Sequence, residues 1–282
     1  MFSFLQVPEE IMSADQQTNW SFSGIANGYE KYLAPMLSLW TGELFEKAAL
    51  QAGDRVLDVA CGTGIVARMA ADVVGTDGAI TGLDVDAEML AVARSSTTAE
   101  GVSVSWIQGD AAELPFDDQS FNRVFCQQGL QFIGEPATAL REMYRVLEQG
   151  GRVALSVWGP VDRSPGYQAL GEALDKHLGE PQARANAAVF AMGEADPLRK
   201  LLDEAGFADI NIETSTRQVQ FPSPREFFRR EVVSWLAAAF EEPAEQKRRA
   251  VVNELDQRLE PYVDERGLTF PMEALIACGQ KR

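Results

Sequence analysis

Between positions 56 and 67 the chain reads Val-Leu-Asp-Val-Ala-Cys-Gly-Thr-Gly-Ile-Val-Ala, an apolar run with one acid, Asp58, passing through two glycines into a helical pattern. Gly62 and Gly64 let the backbone turn tightly and approach a ligand with no Cβ in the way. A helix opening at Gly64 presents unpaired N–H groups and a positive dipole end to a carboxylate or phosphate. The spacing Gly62-x-Gly64-x-x-Ala67 also fits a dinucleotide loop, and Asp84 follows Gly64 at about the twenty-residue distance expected of its ribose-binding acid. Asp58 separates the two readings. A pyrophosphate gains nothing from a carboxylate four residues before the first glycine, whereas a ligand bearing an ammonium group does.

Such residues need a scaffold that gathers strand ends. Apolar runs near 55–60, 79–84, 103–108, 121–126 and 152–158 alternate with helical patterns near 64–74, 86–95 and 136–148. A helix over 30–49 precedes them, with Leu33, Met36, Leu37 and Trp40 on one face. This alternation predicts a parallel sheet wrapped by helices. Gly150-Gly151 is the expected positive-φ stop of the helix at 136–148. Beyond Trp158 the order loosens: a Gly-, Pro- and Ala-rich stretch with a modest helical pattern over 159–195, a helix over 197–205 and a strand at 210–213. A helical stretch over 222–262 and a last strand over 272–278 follow, so a helical lid is expected between the sixth and seventh strands.

The segment Leu57-Asp58-Val59-Ala60-Cys61-Gly62-Thr63-Gly64 resembles the first motif of class I S-adenosylmethionine-dependent methyltransferases. Gly82-Leu83-Asp84-Val85-Asp86 is similar to the end of that family's second strand, and Gly109-Asp110-Ala111-Ala112-Glu113-Leu114-Pro115-Phe116 to its adenine loop. Residues 121–132 resemble its fourth strand and following loop, and 142–158, with Arg145-Val146-Leu147, its next helix and strand. The likeness covers roughly residues 28–158 and is strongest to the ubiquinone/menaquinone-type branch acting on small molecules. It implies a Rossmann-like, seven-stranded, mostly parallel α/β sheet. The expected parts are an N-terminal helical cap over 1–50, a cofactor core over 51–221 and 268–282, and a helical lid over 222–267 that covers an acceptor pocket.

The resemblance also implies a site that uses S-adenosylmethionine. Asp58, Ala60, Cys61, Gly62 and Gly64 are expected around the methionine portion, Asp84 on the ribose, Val85 and Met89 on the adenine faces, Asp110 and Ala111 on the adenine edge, and Gln127 near the sulfonium. The residues support Asp84 on their own account, because a carboxylate at a strand's C-terminal end can accept two vicinal hydroxyls where open α/β sheets bind ligands. Gln128, Gln131, Trp158 and Trp235 are the acceptor-side candidates. Gln127, Gln128 and Gln131 equally suit the satisfaction of buried backbone groups.

Composition sets further bounds. A chain of 282 residues with 46% hydrophobic content can bury one substantial core and is short for two full domains. A net charge of −17, with no basic run longer than Lys247-Arg248-Arg249, argues against a nucleic-acid substrate. No secretory signal or membrane-spanning run is evident, so a cytoplasmic protein is expected. Cys61, Cys126 and Cys278 show no metal-ligand spacing and read as free, mostly buried thiols, and no metal is expected. Oligomeric state is not legible.

Proton chemistry is the least legible function. His177 is the single histidine, in a helix-end sequence that favours it for capping alone, and it is a candidate base. Trp20, Tyr29 and Tyr32 precede the first strand, and Tyr29 is the better candidate to enclose a sulfonium. Phe221, Phe227, Phe228, Trp235 and Phe240 could line an acceptor pocket or simply pack a core. With no evident base, an amine, a thiol or an already acidic phenol suits the acceptor best. Two other functions fit the glycine pattern: an NAD(P)-dependent oxidoreductase, which lacks a Tyr-x-x-x-Lys pair here, and a non-catalytic S-adenosylmethionine-binding protein.

Overall fold

The computed structural model describes residues 24–96, 102–236 and 244–282. Seven strands form one path, β3(Val104–Gln108), β2(Ala79–Asp84), β1(Arg55–Val59), β4(Phe121–Gln127), β5(Leu147–Trp158), β8(Gly267–Gln280) and β6(Ala208–Phe221). The eighth, β7(Val263–Asp264), is two residues long and pairs with β8 at a tight turn. The first five strands on that path run parallel. β8 is antiparallel to both β5 and β6, so the expected seven-strand sheet is present with one short addition.

Alternation along the strands assigns a face to each side chain. Val56, Phe125 and Ala154 join one buried cluster with Leu37 and Trp40 of α2(Ala34–Ala48) and with Val66 and Ala70 of α3(Ile65–Val74). Leu57, Val124, Cys126, Val153 and Leu155 join the other, against α5(Pro136–Val146) and α8(Ala195–Glu204). Within the first cluster, α6(Pro165–His177), α9(Pro224–Ser234) and α10(Glu245–Arg258) form a helical layer, with α7(Glu180–Ala188) packed on α6.

Two expectations are corrected. The helix at 136–148 stops at Val146, and Gly150, at φ +81°, lies inside β5, where the register to β4 shifts and its N–H donates to the Lys281 carbonyl. The strand expected at 210–213 runs from Ala208 to Phe221, because it pairs with β8 along its length. The modest helical pattern expected over 159–195 is present as α6 and α7. Among the described residues, no helix is long and apolar enough to cross a membrane.

Candidate functional site

The sheet order reverses between β1 and β4, which opens a crevice at the carboxyl ends of β1, β2 and β4. Here Ala60, Gly62 and Gly64 all take left-handed backbone, at φ +54°, +54° and +85°. Gly64 caps α3 and has no side chain to satisfy the helix's first N–H groups. Asp58 does so from inside β1: its Oδ2 accepts from the Ala67 N–H at 3.1 Å. Asp58 is fully buried, and burial pushes its carboxyl up to about 8 despite that hydrogen bond. A buried acid with a single N–H partner is suited to a cation. Burial and the nearby acids raise Cys61 well above the ordinary thiol range, so its thiol is neutral and inert, and its backbone bonds Leu83 and Gly64.

Asp84 closes β2 with both oxygens engaged by backbone: Oδ2 accepts from Gly62 N–H at 2.7 Å and Oδ1 from Asp86 N–H at 2.9 Å. Each oxygen keeps acceptor capacity for a further donor. Asp86 caps α4(Ala87–Ser95) through the N–H groups of Glu88 and Met89, as acids at helix starts do. Val85, just past the strand end, is 68% exposed, while Met89 of α4 is buried. Trp106 of β3 closes the floor. A Cβ on Gly64 or Gly82 would stand 2.2 or 2.4 Å from its ring, so both positions need glycine.

Asp110 is exposed and its Oδ1 accepts from Ala112 N–H, so it shapes the loop that carries the buried Ala111. Sequence reasoning missed what fastens that loop. Arg145 of α5 uses all five N–H donors, to the carbonyls of Leu114 and Phe116, to Asp118 and twice to Glu142. Glu142 in turn accepts from the Leu114 N–H.

Over the glycines lies the segment that leads into α2. A three-residue helix α1(Ala26–Gly28) continues as a π-helical turn over Tyr29–Leu33, a rare conformation concentrated at functional sites. The Tyr29 ring covers Gly62, with its Cε1 3.6 Å from where a Cβ would be. Burial and the charges of Asp84 and Asp58 raise its hydroxyl well above the usual phenol range, so Tyr29 is a neutral donor facing two acids. Next to it, Glu30 pairs with Arg68 of α3 at 2.7 Å, and Arg68 also donates to the Thr63 carbonyl in the glycine loop. Glu30 Oε2 and Thr63 Oγ1 are buried with no hydrogen-bond partner. Tyr32 faces away, under Arg229 and Arg230. Trp20 and Phe240 lie outside the described residues.

The amide-rich turn after β4 divides. Gln127 shares a face with Phe125, and both ends of its amide go to α2: Oε1 accepts from Thr41 Oγ1 at 2.9 Å and Nε2 donates to the Leu37 carbonyl at 2.8 Å. Gln128 holds a left-handed backbone at φ +51°, a strained state for a residue with a Cβ. Its amide donates to Ser156 Oγ and accepts from Gln131 Nε2, which leaves Gln131 Oε1 buried and unpartnered. Trp158, at the end of β5, meets Trp40 edge to face at 5.2 Å.

The remaining candidates sit in the helical layer. His177 ends α6, with Nε2 3.6 Å from Glu254 of α10 and no hydrogen-bond partner. Trp235 follows α9 and donates through Nε1 to Glu231, a buried acid absent from the sequence reading. Glu231 lies four residues from both Phe227 and Trp235, so the legible signal was an acid set in an apolar helical stripe.

Comparison with known proteins adds four findings. A family model described as a methyltransferase domain matches residues 56–151. The chain is 32% identical over 212 residues to the ubiquinone/menaquinone biosynthesis C-methyltransferase UbiE of Xanthomonas campestris, covering 69% of this chain and 83% of that one. It is 38% identical over 143 residues to the chloroplastic 2-phytyl-1,4-beta-naphthoquinone methyltransferase of Arabidopsis thaliana, covering 48% and 54%. Among solved structures, the YcgJ protein of Bacillus subtilis shares the fold at a TM-score of 0.59 and 22% identity, covering 87% of this chain and 99% of that one.

Proposed function

We propose, since this chain belongs to the class I S-adenosylmethionine-dependent methyltransferases, that it binds S-adenosylmethionine at the carboxyl ends of β1 and β2 and methylates a small hydrophobic ring of the quinone class. The chain is a methyltransferase, and neither the nicotinamide reading nor the non-catalytic one is supported. The observation that carries the site is the pairing of two buried acids, Asp58 and Asp84, across a loop of alternating left-handed residues. The residues fit the cofactor: Asp58 has an oxygen unspent in a buried setting that favours a cation, and Asp84 retains capacity for two hydroxyls.

In this reading S-adenosylmethionine supplies, when bound, a methyl on a sulfonium centre open to in-line displacement. Asp58 takes the ammonium, and Ala60, Cys61, Gly62 and Gly64 offer backbone. Asp84 takes the ribose hydroxyls, Val85 and Met89 face the adenine, and the Asp110-Ala111 loop, fastened by Arg145, meets its edge. Tyr29 covers Gly62 and excludes water, and a neutral ring there suits a sulfonium. Gln127 acts from behind by fixing α2 to β4. Gln131, with its unpartnered oxygen, and Gln128 meet a donor on the acceptor, while Trp158 and Trp235 bound its ring. The 24–50 stretch forms the cap, and α9 and α10 form the lid over the acceptor.

Isothermal titration with S-adenosylhomocysteine, beside oxidised and reduced nicotinamide cofactors, tests the cofactor: micromolar-range binding of the first alone is expected. Methyl transfer to chemically reduced 2-prenyl-1,4-naphthoquinone tests the acceptor. Binding of a nicotinamide alone overturns the site, and failure to methylate any reduced quinone overturns the acceptor class.

A further inference from the structure

We propose that Glu231 is the proton acceptor of the methyl-acceptor site, taking the proton of a ring hydroxyl while Trp235 holds its carboxylate. The inference rests on the quinone-class reading above, since the hydroxyl is that of the reduced ring.

Glu231 is 2% exposed. Its hydrogen-bond donor is neutral, Trp235 Nε1 from the next turn, and the equally neutral Tyr167 of α6 stands beside it. Around Tyr167 stand Phe190, Phe227 and Phe270, at ring separations of 5.5, 5.4 and 6.2 Å. A carboxylate among aromatic rings without a paired cation is costly to ionise. A glutamine would accept the same hydrogen bond without that cost, so the acid is explained by a proton that must come and go.

The surrounding charges are committed elsewhere. Arg230, on the same helix, bonds Glu226 and stands over the Tyr32 and Phe221 rings. Arg229 bonds Glu226 and Tyr32. On α10, Glu254 is taken by Lys176 and Arg258, with His177 beside it, and on the π-helical turn Glu30 is taken by Arg68. Burial pushes the Glu231 carboxyl up to about 7, where a group exchanges protons most readily at neutral pH.

Position links this acid to the cofactor crevice. Tyr167 Oη reaches Met36 Sδ of α2 at 4.0 Å, one helical turn before Trp40 and its partner Trp158. Two residues after Glu231, the Val233 carbonyl abuts Gly28, where a Cβ would stand 2.0 Å away. Gly28 immediately precedes Tyr29, the cover of Gly62. The helix that carries the acid, α9, thus borders the same turn that roofs the glycine loop.

In the step proposed, the hydroxyl O–H bond breaks and its proton forms an O–H bond with Glu231. The pair left on oxygen passes through the ring to the carbon that takes the methyl, and the pair of the broken S–C bond stays on the departing thioether sulfur. Glu231 returns its proton to the ring oxygen as the methylated carbon gives up its hydrogen to water, so one proton is released per turnover.

Glu231→Gln in the full chain, with reduced 2-prenyl-1,4-naphthoquinone as acceptor, is the test. Affinity for S-adenosylhomocysteine is expected to hold, kcat to fall about 100-fold or more, and the acid limb of kcat near pH 7 to vanish. An infrared titration should show a protonated-carboxyl band that the wild type loses through neutrality, that 1-naphthol shifts, and that Glu231→Gln lacks. A wild type that turns over, with a variant matching its kcat and pH profile, overturns the inference and leaves the function standing. A wild type that binds S-adenosylhomocysteine but methylates no reduced quinone overturns the acceptor class instead. In that case a carboxyl band indifferent to 1-naphthol overturns the role of Glu231 as well.

Discussion

The crevice at the ends of β1 and β2 and the helical layer of α6 and α9 both bury acids, and they hold them by opposite means. In the crevice, Asp58 and Asp84 are fixed by backbone N–H groups of Ala67, Gly62 and Asp86, all within the same supersecondary units. In the helical layer, Glu231 is held by the Trp235 side chain, beside Tyr167 from an element 64 residues earlier. Backbone geometry tolerates almost no change of residue at its glycines, whereas a side-chain cluster can be altered chemically with its packing intact. The crevice therefore suits a ligand gripped by backbone, and the acceptor layer proposed here suits one recognised by side chains.

The largest expected effect breaks the backbone side of this contrast. In Gly64→Val, a side chain at φ +85° would be forced against the Trp106 ring, 2.2 Å from its Cβ position. Left-handed backbone alone costs about 1–2 kcal/mol for a residue with a Cβ, and more when β-branched. S-Adenosylhomocysteine binding should be lost by calorimetry, with a lower Tm. Normal affinity would show that the loop does not need its left-handed turn.

Asp84→Ala comes next. It frees the Gly62 and Asp86 N–H groups and removes the acceptor proposed for the ribose hydroxyls. Hydrogen bonds to a charged group contribute about 1.5–3 kcal/mol each, so affinity should fall about 100-fold or more while the sheet stays folded by circular dichroism. Unchanged affinity in a folded variant would remove Asp84 from the site.

Asp58→Asn sharpens the contrast through pH. The folded Asp58 titrates near 8, against an ordinary value of 3.8, so between those limits the folded chain binds more protons than the unfolded one. Its contribution to stability is complete below about pH 4 and is lost as pH rises through about 8. Cofactor affinity runs the other way, since an ammonium needs the ionised acid: it should rise from pH 6 to 8 and then level off. The Asn variant should flatten both slopes, by chemical denaturation and by titration. A wild-type affinity independent of pH would separate Asp58 from the ammonium.

The same contrast explains what was legible in the sequence. From Arg55 to Trp158 each motif is local, so the glycines, Asp58 and Asp84 could be read with their scaffold. What Asp58 does for α3 was not legible, because a cap supplied from the preceding strand looks like an acid placed for a ligand. Gln127 could have been assigned to α2 by strand parity: it alternates with Cys126 and shares the face of Phe125, which packs against Phe45 of α2. Gly150 misled because a glycine two residues past an expected helix end serves equally well as a strand irregularity. Beyond Trp158, pairing is long-range. β6 exceeds its apolar pattern because β8 pairs with it along its length, and nothing local encodes that partner.

His177→Ala carries the smallest expected effect and bears on which part of the helical layer handles protons. The imidazole Nε2 is 3.6 Å from Glu254 Oε2, beyond hydrogen-bond range, while Glu254 is held by Lys176 at 2.6 Å and Arg258 at 2.8 Å. Removing the ring leaves those pairs intact and relieves a buried nitrogen that has no partner. We therefore expect unchanged cofactor affinity, kcat within about twofold and stability within about 1 kcal/mol, the range of a partly buried side chain away from a network. A tenfold loss of kcat at constant affinity would put proton transfer at the α6–α10 contact and set His177 in place of Glu231. The base would then be a group at a helix end that the sequence already exposed, and the contrast between a legible crevice and an illegible helical layer would fail at its most important residue.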